Sequence, residues 1–131
     1  MPSPSHGALE TMAVLARNHP VRTYAAGEAV FRSGEPGDTM FGVIAGTVRI
    51  QWDGVSETET FGPGENFGIG ALVEPQHRRH GTATALTETK LVVLGRDRFL
   101  FAIQETPLFG LEMLAALEQR LRELKGRSSL P

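Results

Sequence analysis

The residues best suited to chemistry lie between Gly62 and Leu86. Gly62-Pro63-Gly64-Glu65-Asn66-Phe67-Gly68-Ile69-Gly70-Ala71-Leu72 reads as a glycine turn followed by a short helix starting near Gly68. Arg78-Arg79-His80-Gly81-Thr82 then leads into the next strand. A helix start offers unpaired N–H groups and partial positive charge, which suit a phosphate. Gly68 and Gly70 carry no side chain to keep a ligand off the backbone. An arginine returning on the next strand adds a charge-assisted and bidentate donor. The plainer alternative is that the glycines only turn a corner and the arginines are solvated, since short glycine motifs match often by accident.

Other chemistries find less support. His77-Arg78-Arg79-His80 is a dense cationic loop that suits an anionic ligand, the more so near pH 6 where histidine takes a proton. Its bland reading is an exposed loop. The two histidines lack a third ligand, so no metal site is expected. The chain has no cysteine, which excludes thiol catalysis and disulfides. There is no Gly-x-Ser-x-Gly elbow and no motif that places a carboxylate pair, so no enzyme is expected.

These residues must be held by a small frame. The 131 residues suffice for one domain and hardly for two. Apolar residues are 40% and charged residues 21%, as in ordinary globular chains. A net charge of -2 gives no general attraction to nucleic acid. No apolar run approaches the roughly 20 residues that span a bilayer, and the N-terminus lacks a basic segment before an apolar one. A cytoplasmic location with no membrane partner is the expectation.

Residues 1–7 are Pro/Ser-rich and read as a disordered tail, and 8–17 as a short amphipathic helix. Over 21–95 short Val-, Ile-, Phe- and Thr-rich runs alternate with glycine turns: Val21–Tyr24, Ala29–Arg32, Thr39–Ala45, Thr47–Trp52, Ser56–Phe61, Thr82–Leu86 and Lys90–Leu94. Asp53-Gly54 between two of them signals a hairpin. The pattern predicts an antiparallel barrel or jelly roll with helices at both ends. Over 96–126 two helices are expected. Arg96 opens the first, and Thr106-Pro107 caps the second, which Gly126 closes. Leu111, Leu114, Leu117, Leu121 and Leu124 form one stripe on it. Either the stripe packs on the barrel or, flanked by mixed charges, it makes a homodimer seam.

Several segments together resemble the cyclic nucleotide-binding domain family, whose members include the bacterial catabolite activator, protein kinase regulatory subunits and nucleotide-gated channels. Tyr24 to Phe31 looks like the family's opening strand and turn. Gly34-Glu35-Pro36-Gly37-Asp38-Thr39-Met40-Phe41-Gly42-Val43-Ile44-Ala45-Gly46-Thr47-Val48 is similar to its most recognisable segment. Gly62 to Gly68 matches the lead into its phosphate-binding cassette. The match runs from about Val21 to Leu124.

The resemblance implies a double-stranded β-helix with an N-terminal helix and a long C-terminal helix. It also implies a regulatory, non-catalytic role with cAMP or cGMP as ligand and no cofactor. The ligand site would comprise Phe67, Gly68, Ile69, Gly70, Ala71, Arg78, Arg79, His80, Gly81 and Thr82. Counting back from Thr82 places the family's phosphate arginine at Arg79, with Arg78 as the alternative. Leu114, Leu117, Leu121 and Leu124 would serve as lid or dimer helix, the lid running from Leu117 to Leu124.

The chain departs from the family at three places. Ile69 stands where the family has a glutamate for the ribose 2′-hydroxyl, Gly70 replaces a bulky aliphatic, and His80-Gly81 replace small residues near the phosphate. A lost charge-assisted bond costs about 1.5–3 kcal/mol. Glu65, expected to face away, and Glu74, expected to be solvated, are the nearest carboxylates. Three readings follow: a cyclic nucleotide sensor acting through its C-terminal helix on a protein partner or on oligomerisation; a degenerate module that only dimerises or scaffolds; and a site retuned to another nucleotide or phosphorylated metabolite. The chain ends where a helix-turn-helix would begin in the family's transcription factors, so DNA binding is not expected.

Overall fold

The computed structural model describes residues 21–128. The expected tail over 1–7 and helix over 8–17 lie outside the described residues.

Eight strands form two antiparallel four-stranded sheets. They are β1 (Arg22–Tyr24), β2 (Ala29–Phe31), β3 (Thr39–Ala45), β4 (Val48–Trp52), β5 (Thr58–Phe61), β6 (Asn66–Phe67), β7 (Gly81–Ala85) and β8 (Thr89–Gly95). One sheet runs β1-β8-β3-β6 and the other β2-β7-β4-β5. This is the expected jelly roll. Seven of the strands fall on the runs read from the sequence. β6 lies inside the stretch read as a glycine turn, because two residues carry no periodicity. It is held by pairing with Phe41 and Gly42 of β3.

Alternation sorts the side chains, as a half-buried strand requires. In β4, Val48 and Ile50 face in while Arg49 and Gln51 face out. Phe31, Phe41, Val43, Val48, Ile50, Phe61, Phe67, Ala83 and Leu91 fill the space between the sheets. Phe41 and Phe67 stack there with centroids 5.3 Å apart. Asp53-Gly54 does turn β4 into β5, with Gly54 at φ 73°, through a five-residue connection rather than a two-residue one.

Three helices complete the described residues: α1 (Gly70–Val73), α2 (Arg96–Glu105) and α3 (Pro107–Ser128). α1 is a single turn starting at Gly70, not Gly68. α2 and α3 meet at an angle of 114°, where the Phe109 N–H donates to the Thr106 carbonyl at 2.9 Å. A second core joins the β1-β8-β3-β6 sheet to these helices. Met40, Leu72, Val92, Leu94, Phe99, Ala102, Phe109 and Met113 fill it.

One expectation about α3 needs correction, and one of the two readings of its leucine stripe is disfavoured. Gly126 does not end the helix, which continues through Ser128. A glycine closes a helix only when it takes a left-handed φ, and Gly126 is not among the positive-φ glycines. The leucine stripe also does not turn toward the roll as a unit. Phe109, Met113 and Ala116 are the buried face, whereas Leu111, Leu114 and Leu121 are 64%, 63% and 51% exposed. Leu117 and Leu124 are half-buried at the edge. Among the described residues no single helix is long and apolar enough to cross a membrane.

Candidate functional site

Gly68 and Arg79 sit on two segments brought together by the roll. β6 ends at Phe67, and Gly68 follows in a left-handed conformation at φ 89°, which a β-branched or bulky residue would not take without strain. This turns the chain into α1. The return segment 77–80 is fixed by backbone bonds: the Arg79 N–H donates to the Glu35 carbonyl and the Arg79 carbonyl accepts from Gly34 N–H, each at 2.9 Å.

Arg79 is only 6% exposed, unusual for a charged side chain. Its Nη1 donates to the Gly68 carbonyl at 2.9 Å. Its Nη2 donates to the Thr39 carbonyl at 2.8 Å and to Thr39 Oγ1 at 3.1 Å. The guanidinium carbon lies 4.2 Å from the centroid of the Phe31 ring, a cation–π distance. Burial pushes the Arg79 pKa below the ordinary arginine value, and Asp38 and Glu35 oppose that. Gly37 makes room for the side chain. A Cβ at Gly37 would lie 2.4 Å from Arg79 Nε.

Around this contact Phe31, Trp52, Gly68, Gly70, Ala71, Arg78, Arg79 and His80 line a cavity of about 40 Å³. Six expected site residues therefore meet there: Gly68, Gly70, Ala71, Arg78, Arg79 and His80. Four stand elsewhere. Phe67 is in the core between the sheets. Ile69 packs on the cluster that binds α2 and α3. Thr82 Oγ1 accepts the Ser33 N–H at 3.1 Å. Gly81 lies under Trp52, where a Cβ would come within 3.0 Å of the ring.

The cationic loop is more ordered than a solvated run. His77 Nδ1 lies 2.7 Å from the Ala71 carbonyl, and His77 takes a φ of 52°. Arg78 Nη1 donates to the Gly34 carbonyl at 2.9 Å. His80 lies 3.7 Å from Glu74. Glu74, expected to be solvated, is partly exposed and also braces the loop by accepting the N–H groups of Gln76 at 3.0 Å and Arg78 at 3.2 Å. Those two bonds, and then His80, hold its carboxyl below the ordinary value against some desolvation. Glu65 accepts the Gly62 N–H at 2.8 Å within its own turn. A larger concavity, about 460 Å³, lies beside the loop, lined by residues that include His77, Arg78, Arg96 and Asp38. Among the described residues no group of His, Asp and Glu could hold a metal ion.

Sequence reading missed Thr39, Gly37, Trp52, Glu59 and Arg120. Trp52 donates its indole N–H to Glu59 Oε1 at 2.7 Å. Arg120 of α3 meets the same carboxylate, Nε to Oε2 at 3.1 Å and Nη2 to Oε1 at 3.0 Å. One signal was available. Glu59 shares its inward parity with Phe61 on β5, and a carboxylate at an inward position calls for a partner.

The family model for the cyclic nucleotide-binding domain matches residues 21–106. The chain belongs to that family. The cyclic AMP receptor protein of Thermus thermophilus is 33% identical over 106 residues, covering 78% of this chain and 49% of its own. The cAMP-dependent protein kinase regulatory subunit of Emericella nidulans is 34% identical over 77 residues, covering 58% and 18%. The crystal structure of the Thermus thermophilus catabolite activator protein superposes with a TM-score of 0.75 at 29% identity, covering 95% of this chain and 61% of that one. The chain spans about half the length of the first of these curated relatives.

Proposed function

We propose that this chain is a non-catalytic regulatory domain that binds a cyclic nucleotide, cAMP or cGMP, between Gly68 and Arg79 and signals through α3. The observation that carries the reading is the buried Arg79 guanidinium, 2.9 Å from the Gly68 carbonyl, in a chain whose family model spans both residues. A phosphate is the ligand group such a fork fits best. Binding exchanges the carbonyls of Gly68 and Thr39 for phosphate oxygens, neutral acceptors for charged ones.

The walls must part for this. Small-molecule pockets usually measure about 300–1,000 Å³, and the cavity here measures about 40 Å³. Binding therefore draws on a conformational change, and the observed affinity is reduced by its cost. Ile69 supports a weakened ribose contact, because its side chain packs on the α2–α3 cluster.

We place the domain in the cytoplasm, in keeping with a chain free of cysteine, with a protein partner or a second copy as its output. A second reading is a scaffold that takes no nucleotide and dimerises through α3. The exposure of Leu111, Leu114 and Leu121 favours it. A thermal-shift series with cAMP, cGMP and a cyclic dinucleotide up to millimolar concentration tests the choice. A ligand at 100 times its Kd stabilises by about 2.7 kcal/mol, so a flat Tm across the series would leave the scaffold.

A further inference from the structure

Phe31 and Trp52 are the aromatic side chains on the cavity wall, and Trp52 is the one with a polar handle. Its ring covers Gly81, whose missing Cβ permits the contact. Its indole N–H bonds Glu59. Glu59 is 8% exposed and is held on its other side by the bidentate fork of Arg120. The Arg120 guanidinium carbon lies 4.8 Å from the Phe61 centroid, so the fork is fixed by a ring as well as by the charge. One carboxylate oxygen, Glu59 Oε1, thus accepts from the cavity wall and from α3 together.

Stability alone does not explain this arrangement. A buried ion pair is often no better than apolar residues of the same volume. What the three groups do that apolar residues would not is join the cavity wall to α3 through one directional contact. We propose that Glu59 and Arg120 are positioning residues for the ligand site: they hold Trp52 as its wall and tie that wall to α3. The inference rests on the reading of the Gly68–Arg79 cavity as the ligand site. Parting the wall takes the indole from Glu59 Oε1, changes the environment of the Arg120 fork, and so shifts the helix. Coupling of this kind is reciprocal, so loosening Arg120 also frees the wall.

The chain makes a direct test possible. Trp52 is its single tryptophan, and it has no cysteine. Trp52 emission therefore reports the wall, and a nitroxide on Lys125→Cys reports α3. Without any ligand, Arg120→Met should shift Trp52 emission, and Trp52→Phe and Glu59→Gln should each raise the mobility of the label. If Arg120→Met leaves Trp52 emission as in the parent and Trp52→Phe leaves the label unmoved, in variants with parental circular dichroism, the tie does not exist. Should Glu59→Gln fail to fold, Glu59→Met with Arg120→Met removes both charges. That variant must then show both changes, and parental values of both would overturn the proposal.

A titration with cAMP and with cGMP adds the functional arm. Neither Glu59 nor Arg120 lines the cavity. Arg120→Met should nevertheless tighten cAMP by about 5-fold or more, because the wall opens more readily. Unchanged or weaker affinity in a parent that binds cAMP would overturn the inference. If neither parent nor variant binds cAMP or cGMP, the ligand reading fails, and the ligand-free measurements still decide the tie.

Discussion

Arg79 donates to the carbonyl of Gly68 at 2.9 Å across eleven residues of chain. The arginine suited to a phosphate is thus bonded to the backbone that would receive the ligand. The same side chain is a structural tie between the 77–80 segment, β3 and the turn that leads into α1. Arg79→Ala should therefore lose more than ligand contact. Removing a charged donor from buried acceptors costs about 1.5–3 kcal/mol, measurable as a lower urea midpoint. Arg79→Lys keeps the charge without the fork and should recover only part of that loss. A parental midpoint for Arg79→Ala would show that the guanidinium holds nothing together.

Gly37 offers a subtler probe of the same contact. A Cβ there would lie 2.4 Å from Arg79 Nε, so Gly37→Ala must displace the arginine. The expected outcome is a change in affinity for cAMP, read as an altered Kd beside shifted amide resonances of Gly70 and Ala71, which line the same cavity as Arg79. Parental affinity would mean that Arg79 sits without strain in another rotamer.

Ile69 marks the limit of reading a site by position. Its place in the motif suggested the ribose side of the cassette, and Ile69→Glu would then be the natural repair. The side chain instead packs on the cluster that includes Leu72, Phe109 and Met113. Ile69→Glu should lower stability by placing a carboxylate against that cluster, and should not create binding. A gain of cAMP affinity with a parental Tm would contradict this placement.

Much of the fold was legible because it depends on local pattern. Alternation in β4, the short apolar runs of β3 and β8 and the proline at the start of α3 are properties of neighbouring residues. The parts that escaped depend on partners far along the chain. β6 exists because Phe41 and Gly42 stand beside it. The outward turn of Leu111, Leu114 and Leu121 follows from Phe109 and Met113 meeting Val92 and Leu94, which no helical spacing could reveal. For the site, glycines and arginines announced themselves as a motif. Trp52, Glu59 and Arg120 did not, since they meet only after two sheets and a helix have packed.

The acid response should isolate Glu74. Its folded pKa is held below the ordinary carboxylate value, chiefly by the N–H groups of Gln76 and Arg78. A depressed folded pKa stabilises above the unfolded value, 4.5, and that contribution fades as pH falls through the lower folded value. Glu74→Gln should thus flatten part of the Tm decline below about pH 4.5 while leaving the neutral-side slope alone. Identical acid limbs in parent and variant would show that the loop brace contributes nothing.

The outward leucines predict association if α3 is a seam. Leu114→Glu should leave Tm at low concentration nearly unchanged, because the side chain is 63% exposed, and should convert any dimer to monomer in sedimentation equilibrium. A parent that is already monomeric at high concentration removes the seam.

The central claim is that a cyclic nucleotide displaces the Arg79–Gly68 bond and takes the guanidinium for its phosphate. Isothermal titration of the parent and of Arg79→Lys with cAMP and cGMP addresses it most directly. The account predicts saturable heat for at least one nucleotide in the parent and a loss of about 10-fold or more in Arg79→Lys, the equivalent of about 1.4 kcal/mol. No heat at millimolar ligand, or equal affinity in both proteins, would contradict it.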